Sequence, residues 1–232
     1  MGAGFSDLLI AMATFVGGHF ILSSLPVRHA LIEWIGDTGF RILYSVLAGV
    51  TLYWTINRYG AAPYQEVWPM VPALMPGLML IMLPACLLFA AALTTRLPTA
   101  VGGERMVQDT KPLGGIMTVT RHPMLWSFVL WALGHGVVNG DVASLILFGG
   151  IAVLSLGGMA HIDHRRQHQT GAEWGPIALS TSAVPFLAAI QGRTKIDWAG
   201  IGLARLALGL ALYAGLLVAH RWIAGVALVN FG

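Results

Sequence analysis

The sequence predicts an all-α, polytopic membrane helix bundle of about six transmembrane helices, and three observations carry that prediction. Only 10% of the 232 residues are charged and 56% are hydrophobic, whereas a soluble domain carries roughly a quarter charged residues. Charge in hydrocarbon is expensive, and a bilayer enforces such a shortfall. The charges also stand at intervals: none occurs between Asp7 and Arg28, Arg41 and Arg58, Glu66 and Arg96, Arg121 and Asp141, Asp141 and Asp163, or Arg205 and Arg221. Lastly, Lys and Arg alternate between the two sides such a bundle would have.

A helical span needs about 20 mostly apolar residues, which places spans at 6–26, 40–59, 71–93, 122–140, 142–161 and 199–222. The first opens the chain with no basic n-region and no small-residue cleavage site, so it reads as a retained span rather than a signal peptide. The second and sixth are short and reach full length with a flanking Arg that snorkels. The third holds Pro72, Pro76 and Pro84, kinks that neighbouring helices can cover. The fourth starts at Pro123, where a missing N–H costs nothing. Only Asn139, Gly140 and Asp141 separate it from the fifth, which requires a tight antiparallel hairpin. The uncharged stretch 174–192 contains Pro176 and Pro185 and reads as a re-entrant or interfacial segment. No linker or repeat interrupts the chain, so 1–232 reads as one domain.

With six spans and both termini on one side, Arg28, Arg41, Arg96, Arg105, Lys111, Arg121, Arg165, Arg166, Arg193 and Lys195 share the other side, against Arg58 and Arg221. The positive-inside rule makes that basic side cytoplasmic. The expected home is a bacterial inner membrane, with both termini periplasmic. The basic pI reflects this topology, and no nucleic-acid partner is expected. Cys86 is the single cysteine, so neither an intrachain disulfide nor covalent c-type haem is expected.

Chemistry concentrates on histidine. His135 lies deep in the fourth span, in "TRHPMLWSFVLWALGHGVVNGD" (120–141), on a stripe of Ser127, Trp131, His135 and Asn139 that steps by four. His122 precedes it by thirteen residues, about 220° around a helix, so the two have different jobs. His19 follows Gly17-Gly18, which permits close approach of a helix or a flat ligand. It lies roughly 9 Å deep and His135 roughly 15–20 Å, at the α-helical rise. Two intramembrane histidines on separate helices suit either a bis-histidine haem b or two histidines satisfied inside the bundle. Zinc is disfavoured, because neither has a nearby His, Cys or carboxylate in its own span. Arg121 and His122 at a helix N-terminus form an anion site, or an interfacial Arg obeying the positive-inside rule. "HIDHRRQH" (161–168) places His161, His164 and His168 on one helical face, a weak metal pattern and more simply a wet helix end. Asp163 and Arg165 or Arg166 could complete the pocket that Arg121 opens.

These residues resemble the NnrU family of membrane proteins, chiefly in the block from Arg121-His122-Pro123 through Trp131 and His135 to Asp141. "FVGGHFILSSLPVR", with His19 and Arg28, and "HIDHRR", with Asp163 and Arg165, follow the same order. The family includes relatives of the plant and cyanobacterial 15-cis-zeta-carotene isomerase. The resemblance implies haem b, with His19 and His135 as first-choice iron ligands and His122 next. Arg28, Arg121, His122, Trp131, Asp163 and Arg165 would line the cofactor. It further implies either isomerisation of a lipid-soluble, carotenoid-like polyene, with Trp126, Phe128 and Trp131 along its path, or an accessory role beside a denitrifying respiratory complex. "RHP" and the pair Gly171 and Trp174 also resemble the isoprenylcysteine carboxyl methyltransferase group, which would imply S-adenosylmethionine instead. That group carries paired acidic residues where this chain has Asp163-His164-Arg165.

Overall fold

The computed structural model describes residues 3–100, 102–108 and 113–228; Lys111 and the Arg105 side chain, two of the expected cytoplasmic charges, lie outside the described residues. The helices are α1 (Ala3–Ser23), α2 (Leu25–Ala61), α3 (Met75–Thr94), α4 (Pro123–Asn139), α5 (Val142–Thr170), the short α6 (Trp174–Ser180), α7 (Leu187–Ile190) and α8 (Trp198–Ile201), and α9 (Leu203–Ala224). The chain divides into two compact units, one of Met1–Leu78 with Trp131–Arg165, the other of Met79–Leu130 with Arg166–Gly232.

In the first unit α1 packs against α2. Phe5, Leu8, Met12 and Phe15 recur every three or four residues on α1 and are all buried, the spacing of one helical face. Met12 and Phe15 join Ala132, Leu147, Phe148 and Ala152 in one apolar cluster. Gly150 lets Met12 approach the α5 backbone and Gly157 does the same for Phe20; a side chain at either would collide with them. α2 is two helices joined at Gly36, whose φ of 74° is left-handed, a conformation glycine takes at no steric cost. Glu33 lies just before that joint and Asp37 just after it. The hairpin is as tight as expected. Gly140 turns with φ 64°, and its carbonyl accepts from the Val67 and Trp68 N–H groups at 2.8 and 3.1 Å. Asp141 caps α5 by accepting from the Ser144 N–H at 3.0 Å, as helix N-termini require.

In the second unit Ala91, Leu97, Ile116, Met117, Trp174, Ile177 and Ile201 form the core. α9 meets α3 through a stripe at i, i+4 and i+8. Arg205 donates to the Thr94 carbonyl at 3.2 Å and the Tyr213 hydroxyl to the Met79 carbonyl at 3.1 Å. Between them Gly209, the buried residue of α9, sits against Leu87.

Five helical stretches are long and apolar enough to cross a membrane: Gly4–Ser23, Leu25–Ala61, Pro72–Thr94, Val142–Ser180 and Leu203–Ala224. The fourth expected span folds as α4, with 17 residues, the lower end of the spanning range. The chain is thus a multi-pass helical membrane protein. The stretch 174–192 folds as α6 and α7, neither long enough to span. It is tied to the start of α4: Ala183 O accepts from Thr120 Oγ1 at 2.8 Å and Trp126 Nε1 at 2.7 Å, and the Phe186 N–H donates to Val119 O at 2.8 Å.

Candidate cofactor site

The first unit holds both intramembrane histidines. His19 extends the buried stripe of α1 by one turn. Its Nδ1 is 2.7 Å from the Phe15 carbonyl, and its ring packs edge-on to Phe15 and Tyr44, at centroid distances of 4.5 and 5.4 Å. On α4, His135 Nδ1 is 2.8 Å from the Trp131 carbonyl. Its ring packs with Trp131 at 5.2 Å and Phe148 at 5.4 Å, while Trp131 and Phe148 meet at 5.0 Å. Phe15 and Phe148, one neighbour of each histidine, belong to the same buried cluster.

These bonds decide the tautomer. A carbonyl can only accept, so each Nδ1 carries a proton, and in a neutral ring that leaves the lone pair on Nε2. The bond meets the expectation of a histidine satisfied within its own helix. It is also the support that orients a metal-ligating imidazole and raises its basicity. Beside His19, a Cβ built on Gly17 or Gly18 would meet nothing within 4 Å. Among the described residues no helix uses the close approach those glycines permit, and a flat ligand could. Among the described residues no three His, Cys, Asp or Glu side chains group as metal donors. His161, His164 and His168 on α5 therefore form no three-donor group, and none of the described residues builds a closed zinc site. The intramembrane donors are two imidazoles on separate helices, the donor type a bis-histidine haem b would use.

The basic residues divide. Arg28 donates to Asp37 at 3.3 Å, and its guanidinium lies over Phe40, 5.3 Å from the centroid. Phe40 packs on Tyr44 at 6.0 Å. A chain of aromatic contacts thus leads from His19 through Tyr44 and Phe40 to Arg28. The Arg165 charge also lies within electrostatic reach of Tyr44. Asp163, half-buried, lies one turn beyond the buried Met159 on α5. His161, half-buried, packs edge-on to Phe20 at 5.9 Å. Sequence reasoning missed Tyr44, Phe40 and Phe148. Their one signal was spacing, four residues apart for the first pair, and it is indistinguishable from ordinary packing.

Arg121 and His122 belong to the second unit. His122 is buried at the start of α4, with its N–H on Thr120 Oγ1 at 3.2 Å. Arg121 donates to the Thr181 carbonyl at 3.4 Å, and its own carbonyl accepts from Thr99 Oγ1 at 2.6 Å. Trp126, placed along the polyene path, bonds to Ala183, and Phe128 packs on Phe89 at 5.9 Å.

Residues 7–228 match the family described as NnrU protein. Among curated proteins, the chain is 27% identical to the chloroplastic 15-cis-zeta-carotene isomerase of Arabidopsis thaliana over 195 residues, 80% of this chain and 51% of that one. It is 33% identical to the corresponding Zea mays isomerase over 82 residues, 35% of this chain and 22% of that one. The chain therefore spans about half, or less, of the length of these relatives. No solved structure matches it. The match from one end of the helical bundle to the other places this chain in the NnrU family.

Proposed function

We propose that this protein is a haem b-binding membrane isomerase that acts on a cis double bond of a lipid-soluble polyene such as 15-cis-zeta-carotene. The observation that carries the reading is the two histidines His19 and His135: each holds its Nδ1 proton on a carbonyl four residues earlier, and each packs on a phenylalanine of one buried apolar cluster. The names of the two plant relatives supply the substrate class. His19 and His135 would hold the iron through Nε2. Arg28 and Arg165, at the Tyr44 end of the aromatic chain, would offset propionate charge. A bound haem would supply an iron whose reversible change of oxidation state assists double-bond rotation with no net redox change. Phe15 and Phe148, both buried, keep water away, and the partly exposed Trp131 offers an apolar surface to a polyene arriving from lipid. The basic side faces the cytoplasm of a bacterial inner membrane and the termini the periplasm, by the positive-inside rule.

The test is purification in mild detergent after haem-supplemented expression, followed by incubation with 15-cis-zeta-carotene and chromatographic separation of isomers. A Soret band with conversion supports the reading. Haem without turnover assigns the accessory role, and no Soret band with saturable S-adenosylmethionine binding assigns the methyltransferase role.

A further inference from the structure

The second unit contains an open depression of about 410 Å³ lined by Arg121, Arg193, Thr181, Gln191, Leu179 and Val184, among others. The Thr181 carbonyl accepts from two guanidinium groups, Arg193 Nη1 at 2.9 Å and Arg121 Nη1 at 3.4 Å. Two cations thus converge on one neutral oxygen. Arg193 spends its other bonds on Gln191 Oε1, at 2.8 Å, and on the Ala178 and Leu179 carbonyls that close α6. An arginine has five N–H donors, and those on Nη2 have no partner among the described residues. The lining includes no carboxylate among those residues. The Arg193 guanidinium therefore offers the hollow positive charge and spare donors suited to an anion.

Its surroundings say which anion. Leu179 is 70% and Ile190 78% exposed, with Val184 and Phe186 about half exposed. Phe186 is held in a left-handed conformation, φ 64°, between its N–H on Val119 O and its carbonyl on the Ile190 N–H. That conformation is unfavourable for a bulky residue, and the next residue, Leu187, lines the hollow. A soluble anion has no use for such a rim, whereas an amphiphile matches both parts. We propose that this depression binds the phosphate of an anionic phospholipid, with the acyl chains lying across Leu179, Val184, Phe186 and Ile190.

The test uses the full chain in detergent, titrated separately with phosphatidylglycerol, phosphatidylcholine and soluble glycerol 3-phosphate, with bound lipid counted by native mass spectrometry and melting followed in parallel. Phosphatidylglycerol should bind about tenfold better than phosphatidylcholine, the scale of one charge-assisted contact. R193Q should erase most of that preference. R193K, which keeps the charge but not the fork that caps α6, should melt lower yet keep the preference. I190N should weaken lipid binding at an exposed position the fold does not need. Equal binding of the two lipids, R193Q weakening both alike, or glycerol 3-phosphate binding as tightly as lipid would each overturn the proposal.

Discussion

Gly209→Ala tests how α9 is held. A Cβ there would lie 2.8 Å from Leu87 Cα and 3.3 Å from Leu87 N, besides meeting the Leu87 side chain. Ordinary carbon contacts are about 3.5–4.0 Å, so the α3 and α9 backbones must part by roughly 1 Å. Overpacking of this kind costs about 1–3 kcal/mol, and rigid backbone puts it at the upper end. Alanine returns about 1 kcal/mol in helix propensity. The net loss is about 1–2 kcal/mol, which at about 2–4 °C per kcal/mol lowers Tm by about 2–8 °C. Gly215→Ala is the control, since a Cβ there meets nothing within 4 Å; it should melt at or above the wild-type temperature. Leu87→Ala should not rescue Gly209→Ala, because the collision with Cα and N remains. The assay is thermal unfolding of the full chain in one fixed detergent. Equal melting of the two glycine variants, or rescue by Leu87→Ala, would refute the backbone contact.

Tyr59→Phe removes the hydroxyl paired with the fully buried Ser144 Oγ at 3.0 Å. It should cost about 1 kcal/mol, the scale of interhelical hydrogen bonds in membranes, and Ser144→Ala in the same chain should add little. The Gly115 and Gly200 N–H groups, each 2.8 Å from the Asp197 carboxylate, hold its pKa below the ordinary value. A carboxyl depressed in the fold contributes stability above its unfolded pKa and loses it as pH falls through the folded one. Melting should therefore drop as pH falls below about 4, the ordinary carboxylate value, and Asp197→Asn should flatten that dependence. Gly18→Ala should leave the melting of haem-free protein unchanged or raised, because the space beside it is open. A clear loss of Tm would mean that another helix packs there.

Charge-free runs located most spans to within a few residues, because the cost of burying charge leaves an unmistakable gap in the sequence. They failed where a helix carries charge. α2 begins at Leu25, well before the expected residue 40, because Glu33, Asp37 and Arg41 hide its first turns. α5 likewise continues through "HIDHRRQH" to Thr170. Pro123 and Gly140 were readable because each has one steric reason to stand where it does. His19 and His135 stood out as polar groups at depths that demand a partner. Phe148, Tyr44 and Gly209 did not, since nothing local separates them from other aromatic residues and glycines. Arg121 had a visible charge, but its bond to Thr181 spans 60 residues, a separation no local pattern encodes.

The proposed cofactor role is tested most directly by the visible absorption spectrum of the detergent-purified, haem-supplemented protein and of three variants. Wild type should give the Soret and sharp visible bands of six-coordinate haem b. His19→Ala and His135→Ala should each shift or abolish them, and His29→Ala, at an exposed position on α2, should leave them intact. A wild-type spectrum with no Soret band, or one that both histidine variants retain unchanged, would contradict the account.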